Sequence, residues 1–206
     1  MKHTLFKSAV TGLSALMVLA SNALAGPLTT GADAPDFSLP AVGATEEVAL
    51  SQYKDKVVVI EWVNFTCPFV KKHYKQGHMQ ALQKKYKELG VEWIAINSGP
   101  ESADKGSYSA EEMEKHAKEH NVAAQHFVLD RDGKVGKAYG ATTTPYFVII
   151  NKGKVVYQGA IDSIKSTDIA DIEKADNYVA QALDATLAGK EVAKPITKGY
   201  GCGVKY

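Results

Sequence analysis

Apolar side chains along this chain cluster in short runs, separated by polar stretches rich in Gly, Pro, Asn and Asp. The strongest run is VVVIEWV, Val57–Val63, which is β-branched and nearly continuous. That pattern marks a central strand covered on both faces. Ahead of it, DFSLP (Asp36–Pro40) and EVAL (Glu47–Leu50) read as short strands. From Cys67 to Leu89 the spacing becomes helical, with Val70, Tyr74, Leu82 and Leu89 on one face and Gly90 as a stop. VEWIAIN (Val91–Asn97) is the next strand. The polar stretch Ser98–Tyr108 then ends at Ser109 and Glu112, a capping box that predicts a helix to about His120. HFVLD (His126–Asp130) predicts a strand and Asp132–Gly133 a turn, followed by a short helix near Val135–Tyr139. PYFVII (Pro145–Ile150), the turn Asn151–Lys154 and VVYQGAI (Val155–Ile161) form a hairpin. A last helix is expected over Asp171–Leu187, with Tyr178, Val179, Ala182 and Leu183 on its buried face and a Gly-rich tail beyond.

Strands alternating with helices and closing on a hairpin imply an α/β fold, a central mixed sheet flanked by helices on both faces. Sites in such sheets form at the carboxyl ends of the strands. Cys67 follows the strongest strand at that end.

Composition narrows the setting. Lys2 and Lys7 precede an apolar run from Ala9 to Ala20, and Ala23–Ala25 supplies the small residues of a cleavage site. Residues 1–25 therefore read as a signal peptide and 26–206 as one domain, exported to the periplasm or secreted. The run is too short to anchor the chain, so no stable membrane association is expected after cleavage. Taking Lys2 and Lys7 from the 24 basic residues leaves 22 against 23 acidic ones, a net of −1. Such a balance gives no reason to expect nucleic acid as a partner. Two cysteines, Cys67 and Cys202, are too few for a disulfide scaffold and wrongly spaced for a structural zinc site.

Three places carry candidate chemistry. Cys67 opens a predicted helix, where unpaired N–H groups and the helix dipole favour a thiolate; Pro68 suits the first helical position and Lys71 adds charge one turn on. Glu61 interrupts an apolar strand, where burial raises a carboxyl pKa and fits it for proton exchange; the plainer reading is a solvated strand-end acid. Thr144–Pro145 begins a strand and is a candidate cis bond.

Glu61 six residues before Cys67, followed later by Pro145 preceded by Thr144, resembles the thioredoxin superfamily and its thioredoxin-like fold. The stretches GADAPDFSLP and LDRDGKVGKAYGATTTPYFVIINKGKVVYQGAID resemble the redoxin branch, which includes alkyl hydroperoxide reductase/thiol-specific antioxidant proteins. CPFVK (Cys67–Lys71), INS (Ile96–Ser98) and the ending GCGVKY (Gly201–Tyr206) are similar to a peroxiredoxin-like subgroup with CPYVK, INS and GCSIKW at those places. The resemblance implies a thiol oxidoreductase with Cys67 as nucleophile, Glu61 moving protons, and Thr144, Pro145 and Pro68 shaping the substrate groove. No cofactor is implied. Peroxiredoxins proper carry a threonine where this chain has Asn64 and an arginine near the thiolate. The sole arginine here, Arg131, reads as a solvated turn residue. Thioredoxin's own second cysteine falls at Val70, and the subgroup's at Asn64.

Cys202 is the thiol left for the resolving role, in a tail that Gly199, Gly201 and Gly203 are expected to make flexible. A cycling Cys67–Cys202 disulfide, a permanent clamp worth about 4–5 kcal/mol by loop closure, and no contact at all stay open. The matching functions are exchange with a protein thiol or disulfide, reduction of a small hydroperoxide, and a non-catalytic binding or metal-handling module, with the reductant unknown. HAKEH (His116–His120) matches an H-x-x-E-H metalloprotease pattern, but it lies on a charged helix surface without an evident third ligand. Cys67 with His73 or His78 as a copper site is set aside because His78 is placed on the inner stripe of the helix.

Overall fold

The computed structural model describes residues 28–102 and 106–206, so the expected leader at 1–25 lies outside the described residues. A small hairpin, β1 (Ser38–Pro40) with β2 (Glu47–Ala49), precedes β3 (Val57–Trp62). Then come α1 (Pro68–Lys75), α2 (His78–Glu88), β4 (Glu92–Ser98), α3 (Ala110–Glu119), β5 (His126–Asp130) and α4 (Lys134–Ala138). The chain closes with β6 (Thr143–Thr144), β7 (Tyr146–Asn151), β8 (Lys154–Gly159), α5 (Tyr178–Leu187) and β9 (Cys202–Gly203). Five strands form one mixed sheet in the order β5-β4-β3-β7-β8. In it β3, β4 and β5 run parallel, and β7 is antiparallel to both β3 and β8.

Alternation along β3 divides the core. Val58, Ile60 and Trp62 face a layer made with Phe37, Val48, Leu50 and Tyr139, from the first hairpin and α4. Val59 and Val63 face the opposite layer, with Tyr74, Met79, Tyr86, Val179 and Leu183 from α1, α2 and α5. Period-two geometry puts Glu61 on that second, helix-covered side. The capping box closes as expected: Ser109 Oγ accepts from the Glu112 N–H at 3.2 Å, and Glu112 Oε2 accepts from the Ser109 N–H at 3.0 Å.

Three expectations need correction. The helix expected over 67–89 is two helices, because Gly77 adopts φ 81 between them, in the left-handed region open to glycine. The break resets the helical phase, so Met79, Gln83 and Tyr86 are buried while Leu89 is 54% exposed. The last helix starts at Tyr178, capped by Asn177, whose side chain accepts from the Ala180 N–H; Ile169–Asp171 is a separate 3-10 turn. The Gly-rich tail is docked. Thr197 N–H donates to the Gln158 carbonyl, Tyr200 is buried, and β9 pairs antiparallel with β6.

Candidate active site

Asn64 builds the turn that delivers Cys67. Its side-chain oxygen accepts from the Thr66 N–H at 2.8 Å and from the Thr66 hydroxyl at 2.6 Å, while its carbonyl accepts from the Cys67 N–H at 3.0 Å. Such an Asx turn lets the chain leave β3 at Trp62 and enter α1 at Pro68 across five residues. Cys67 is the N-cap of α1, Pro68 occupies the first helical position, and the sulfur is fully buried. The thiol donates to the Thr144 carbonyl at 3.1 Å. The Thr144–Pro145 bond is cis.

The same Thr144 lies opposite Cys202 in the β6–β9 pair. The two thiols, distant in sequence, therefore meet beside Thr144, within hydrogen-bond reach of each other, and both are free. Burial raises the Cys202 pKa, and a hydrogen bond and charge from Cys67 raise it further. Thr144 and Pro145 lie buried beneath the tail, whereas Pro68 is exposed.

Gly201 makes this approach possible. It adopts φ 135, and a Cβ there would stand 2.0 Å from the Thr144 oxygen. Gly201→Ala should therefore pull β9 off β6 and slow Cys67–Cys202 disulfide formation by roughly tenfold or more, since misplacing reacting groups by about 1 Å costs that much or beyond. The rate is read by quenched-flow alkylation. Gly189→Ala is the control, because Gly189 has φ 67 with nothing within 4 Å, and it should leave that rate unchanged.

The tail is also held by a buried charged cluster that the sequence reading missed. Tyr200 donates its hydroxyl to Asp162 Oδ1, and its ring meets Phe69 edge-on at 5.8 Å. Asp162 Oδ2 lies 3.7 Å from both Lys72 Nζ and His73 Nε2. The Lys72 side chain has no exposure at all. Burial, ahead of its charged neighbours, lowers the His73 pKa to about 4. Lys71, singled out for its charge, is exposed; the buried lysine is its neighbour. The histidine enclosed by the core is likewise His73, and His78 is only partly buried.

Glu61 is fully buried and accepts from Trp93 Nε1 at 2.8 Å, Tyr74 hydroxyl at 2.9 Å and Gln83 Nε2 at 3.0 Å. It is not a solvated strand-end acid. Among the described residues these three are its hydrogen-bond partners; Cys67 shares its core layer without a hydrogen bond to it. Burial raises its pKa from 4.5 to about 7, against the lowering effect of the three donors. Gln83 lies off the helical stripe expected from sequence and is buried between Met79 and Tyr86 only after the break at Gly77. Tyr74 and Trp93 were read only as apolar positions.

That pKa has a sign. The unfolded chain ionises Glu61 near 4.5 and the folded chain near 7, so its contribution to stability is full below the lower value and is lost across that window. The loss corresponds to about 3 kcal/mol. His73, lowered from 6.5 to about 4, acts oppositely, its contribution being lost as pH falls. Subtracting Glu61→Gln from the parent isolates the acid: denaturant melts at pH 4 and pH 8 should show the difference moving in the variant's favour at the higher pH. A difference that stays constant contradicts it.

Arg131 is not a solvated turn residue. It donates to the Ser107 hydroxyl at 3.2 Å and to the Tyr108 carbonyl, so it ties down the loop after β4. That loop borders the cysteine turn, since a Cβ on Gly106 would overlap Asn64 and one on Gly99 would meet the Lys205 carbonyl of the tail.

A thioredoxin-like fold that brings two thiols together at the start of a helix defines a thiol-based oxidoreductase. Residues 29–177 match the family model described as Redoxin, and the chain belongs to that family. A solved structure of an uncharacterized conserved protein from Geobacillus kaustophilus is 31% identical, with TM-score 0.73, over 87% of this chain and 93% of that one. A hypothetical protein from Sinorhizobium meliloti 1021 is 26% identical, with TM-score 0.72, over 88% and 96%. A putative thiol:disulfide interchange protein DsbE from Chlorobium tepidum is 26% identical, with TM-score 0.54, over 76% of this chain and 99% of that one. No curated protein matches the chain.

Proposed function

We propose that this protein is an exported thiol–disulfide oxidoreductase in which Cys67 is the nucleophile and Cys202 the resolving thiol. The observation that carries the reading is Thr144: its carbonyl accepts the Cys67 thiol while its backbone pairs with Cys202. The basic, apolar and small-residue leader supports export, and among the described residues no helix is long and apolar enough to cross a membrane.

The asymmetry of the thiols orders the steps. With its pKa raised, Cys202 stays protonated at neutral pH and leaves the first attack to Cys67. The Cys67 thiolate attacks one sulfur of a protein disulfide, forming a mixed disulfide and expelling one substrate thiolate. Cys67 then carries neither a thiol proton nor a charge. Of the causes that raise Cys202, burial persists and the two from Cys67 disappear. Cys202 loses its proton more readily and attacks the Cys67 sulfur, releasing the second substrate thiolate and forming Cys67–Cys202. Two electrons have passed to the substrate, and a dithiol donor returns them. Glu61 serves as a buried proton reservoir behind the site, and Thr144, Pro145 and Pro68 frame the substrate backbone once the tail gives way.

Hydroperoxide reduction is the less supported use of the same thiols, because the side chain that would bring positive charge, Arg131, is committed to Ser107 and Tyr108. Incubating Cys202→Ser with an oxidised model dithiol protein tests the assignment. One covalent adduct per chain should accumulate at Cys67 and be released by dithiothreitol, while the parent turns over without accumulating it. Parent-like turnover by Cys202→Ser would remove Cys202 from the resolving role, and rapid hydrogen peroxide consumption by the parent without disulfide exchange would favour the peroxidase.

A further inference from the structure

The H-x-x-E-H stretch on α3 has geometry that a solvated helix face does not require. His116, Glu119 and His120 stand at i, i+3 and i+4, one side-chain row of the last turn. One ligand atom from each lies within 4.8 Å of the others. His116 Nδ1 is buried and makes no hydrogen bond among the described residues; Glu119 Oε2 is 3.3 Å away. Ligands at about 2.0–2.1 Å from a tetrahedral zinc stand roughly 3.3 Å apart, so this pair already has the required spacing. Glu119 is half exposed, and among the described residues its other close charge is Lys115 at 3.9 Å, a weak surface pair, which leaves it free to close the remaining distance.

The imidazoles are held in place. His120 Nδ1 bonds to the His116 carbonyl at 3.0 Å, which makes Nδ1 the protonated nitrogen and leaves Nε2 with its lone pair. Metal-bound histidines are commonly fixed by such a bond from the other ring nitrogen. Phe65 stacks on His120 with centroids 4.4 Å apart, and Tyr108 packs on His116 at 4.3 Å. Glu119 and His120 also line a cleft of about 430 Å³ with Lys71, Tyr74 and Gln80, where water can complete a coordination shell.

We propose that His116, Glu119 and His120 form a binding site for a divalent transition-metal ion, separate from the two thiols. Two imidazoles and one carboxylate suit a borderline cation such as Zn²⁺ or Cu²⁺ and not the all-oxygen preference of Mg²⁺ or Ca²⁺. The site requires neither cysteine, so its test excludes them. Zn²⁺ is titrated calorimetrically into a tag-free Cys67→Ser/Cys202→Ser chain, which should take up one equivalent. His116→Gln and His120→Gln should each weaken uptake by roughly tenfold or more, since even losing a partner behind a metal ligand costs that much. Glu119→Gln, at an exposed position that does not threaten folding, should weaken it as well. Circular dichroism without metal confirms that each variant is folded. No saturable uptake by the thiol-free chain, or uptake unchanged in the histidine and glutamate variants, would overturn the site. Either outcome leaves the redox reading untouched, because that reading rests on the thiols.

Discussion

Cys67→Ser is expected to reduce turnover of a disulfide substrate to the uncatalysed background, a fall of about a thousandfold or more, while the protein stays folded. Serine keeps a hydroxyl that can donate to the Thr144 carbonyl as the thiol does at 3.1 Å, so the packing under the tail changes little. What disappears is the sulfur that forms the mixed disulfide, and an alcohol does not replace a thiolate in this exchange. Cys202 does not substitute for it. Its pKa is raised first by burial, and burial remains when Cys67 is gone. The check is an insulin-reduction or model-disulfide assay beside a thermal melt. Substantial turnover by a folded Cys67→Ser chain would move the nucleophile elsewhere.

Asp162→Ala should destabilise the protein by about 3–5 kcal/mol, the cost of removing one partner from a buried charge pair. Lys72 Nζ, with no side-chain exposure and Asp162 Oδ2 at 3.7 Å, would keep a buried charge without its counter-ion. The Tyr200 hydroxyl would lose its acceptor at the same time. Because Tyr200 lies two residues before Cys202, the effect should reach the chemistry: disulfide formation slows beyond what global unfolding explains. Urea melts give the stability change. Adding Lys72→Met to Asp162→Ala should restore part of it, because the orphaned charge is gone. An Asp162→Ala chain as stable as the parent would mean that the ion pair contributes nothing and the tail is held by packing alone.

Much of the framework was legible along the chain because local periodicity encodes it. The nearly continuous apolar run Val57–Val63 marked the central strand, the Ser109–Glu112 pair marked a helix start, and the strand-to-helix step placed Cys67 at the opening of a helix. Glu61 was visible as one acid in an apolar strand. The rest depends on contacts that no local window contains. Lys72 and His73 follow Cys67 in a stretch that reads as an ordinary basic helix, and only the packing of Asp162 and Tyr200 against them shows that this side is enclosed. Gly77 gave no sign of breaking the helix, because apolar residues recur on both sides of it and the phase shift is invisible until the backbone turns. Arg131 stood in an Asp-rich turn, and its partners Ser107 and Tyr108 come from another loop. The tail read as flexible because glycine permits many conformations. The structure uses that freedom for one of them, with Gly201 pressed against Thr144.

Peptide mass mapping of the protein before and after reduction asks whether Cys67 and Cys202 together give up two electrons by forming a disulfide that a thiol donor reopens. After mild oxidation the expected product is a monomer lighter by two hydrogen atoms, with a cross-linked peptide pair containing Cys67 and Cys202 and full recovery of both thiols with dithiothreitol. Two free thiols after oxidation, or a bond that no thiol reductant opens in the folded protein, would contradict it.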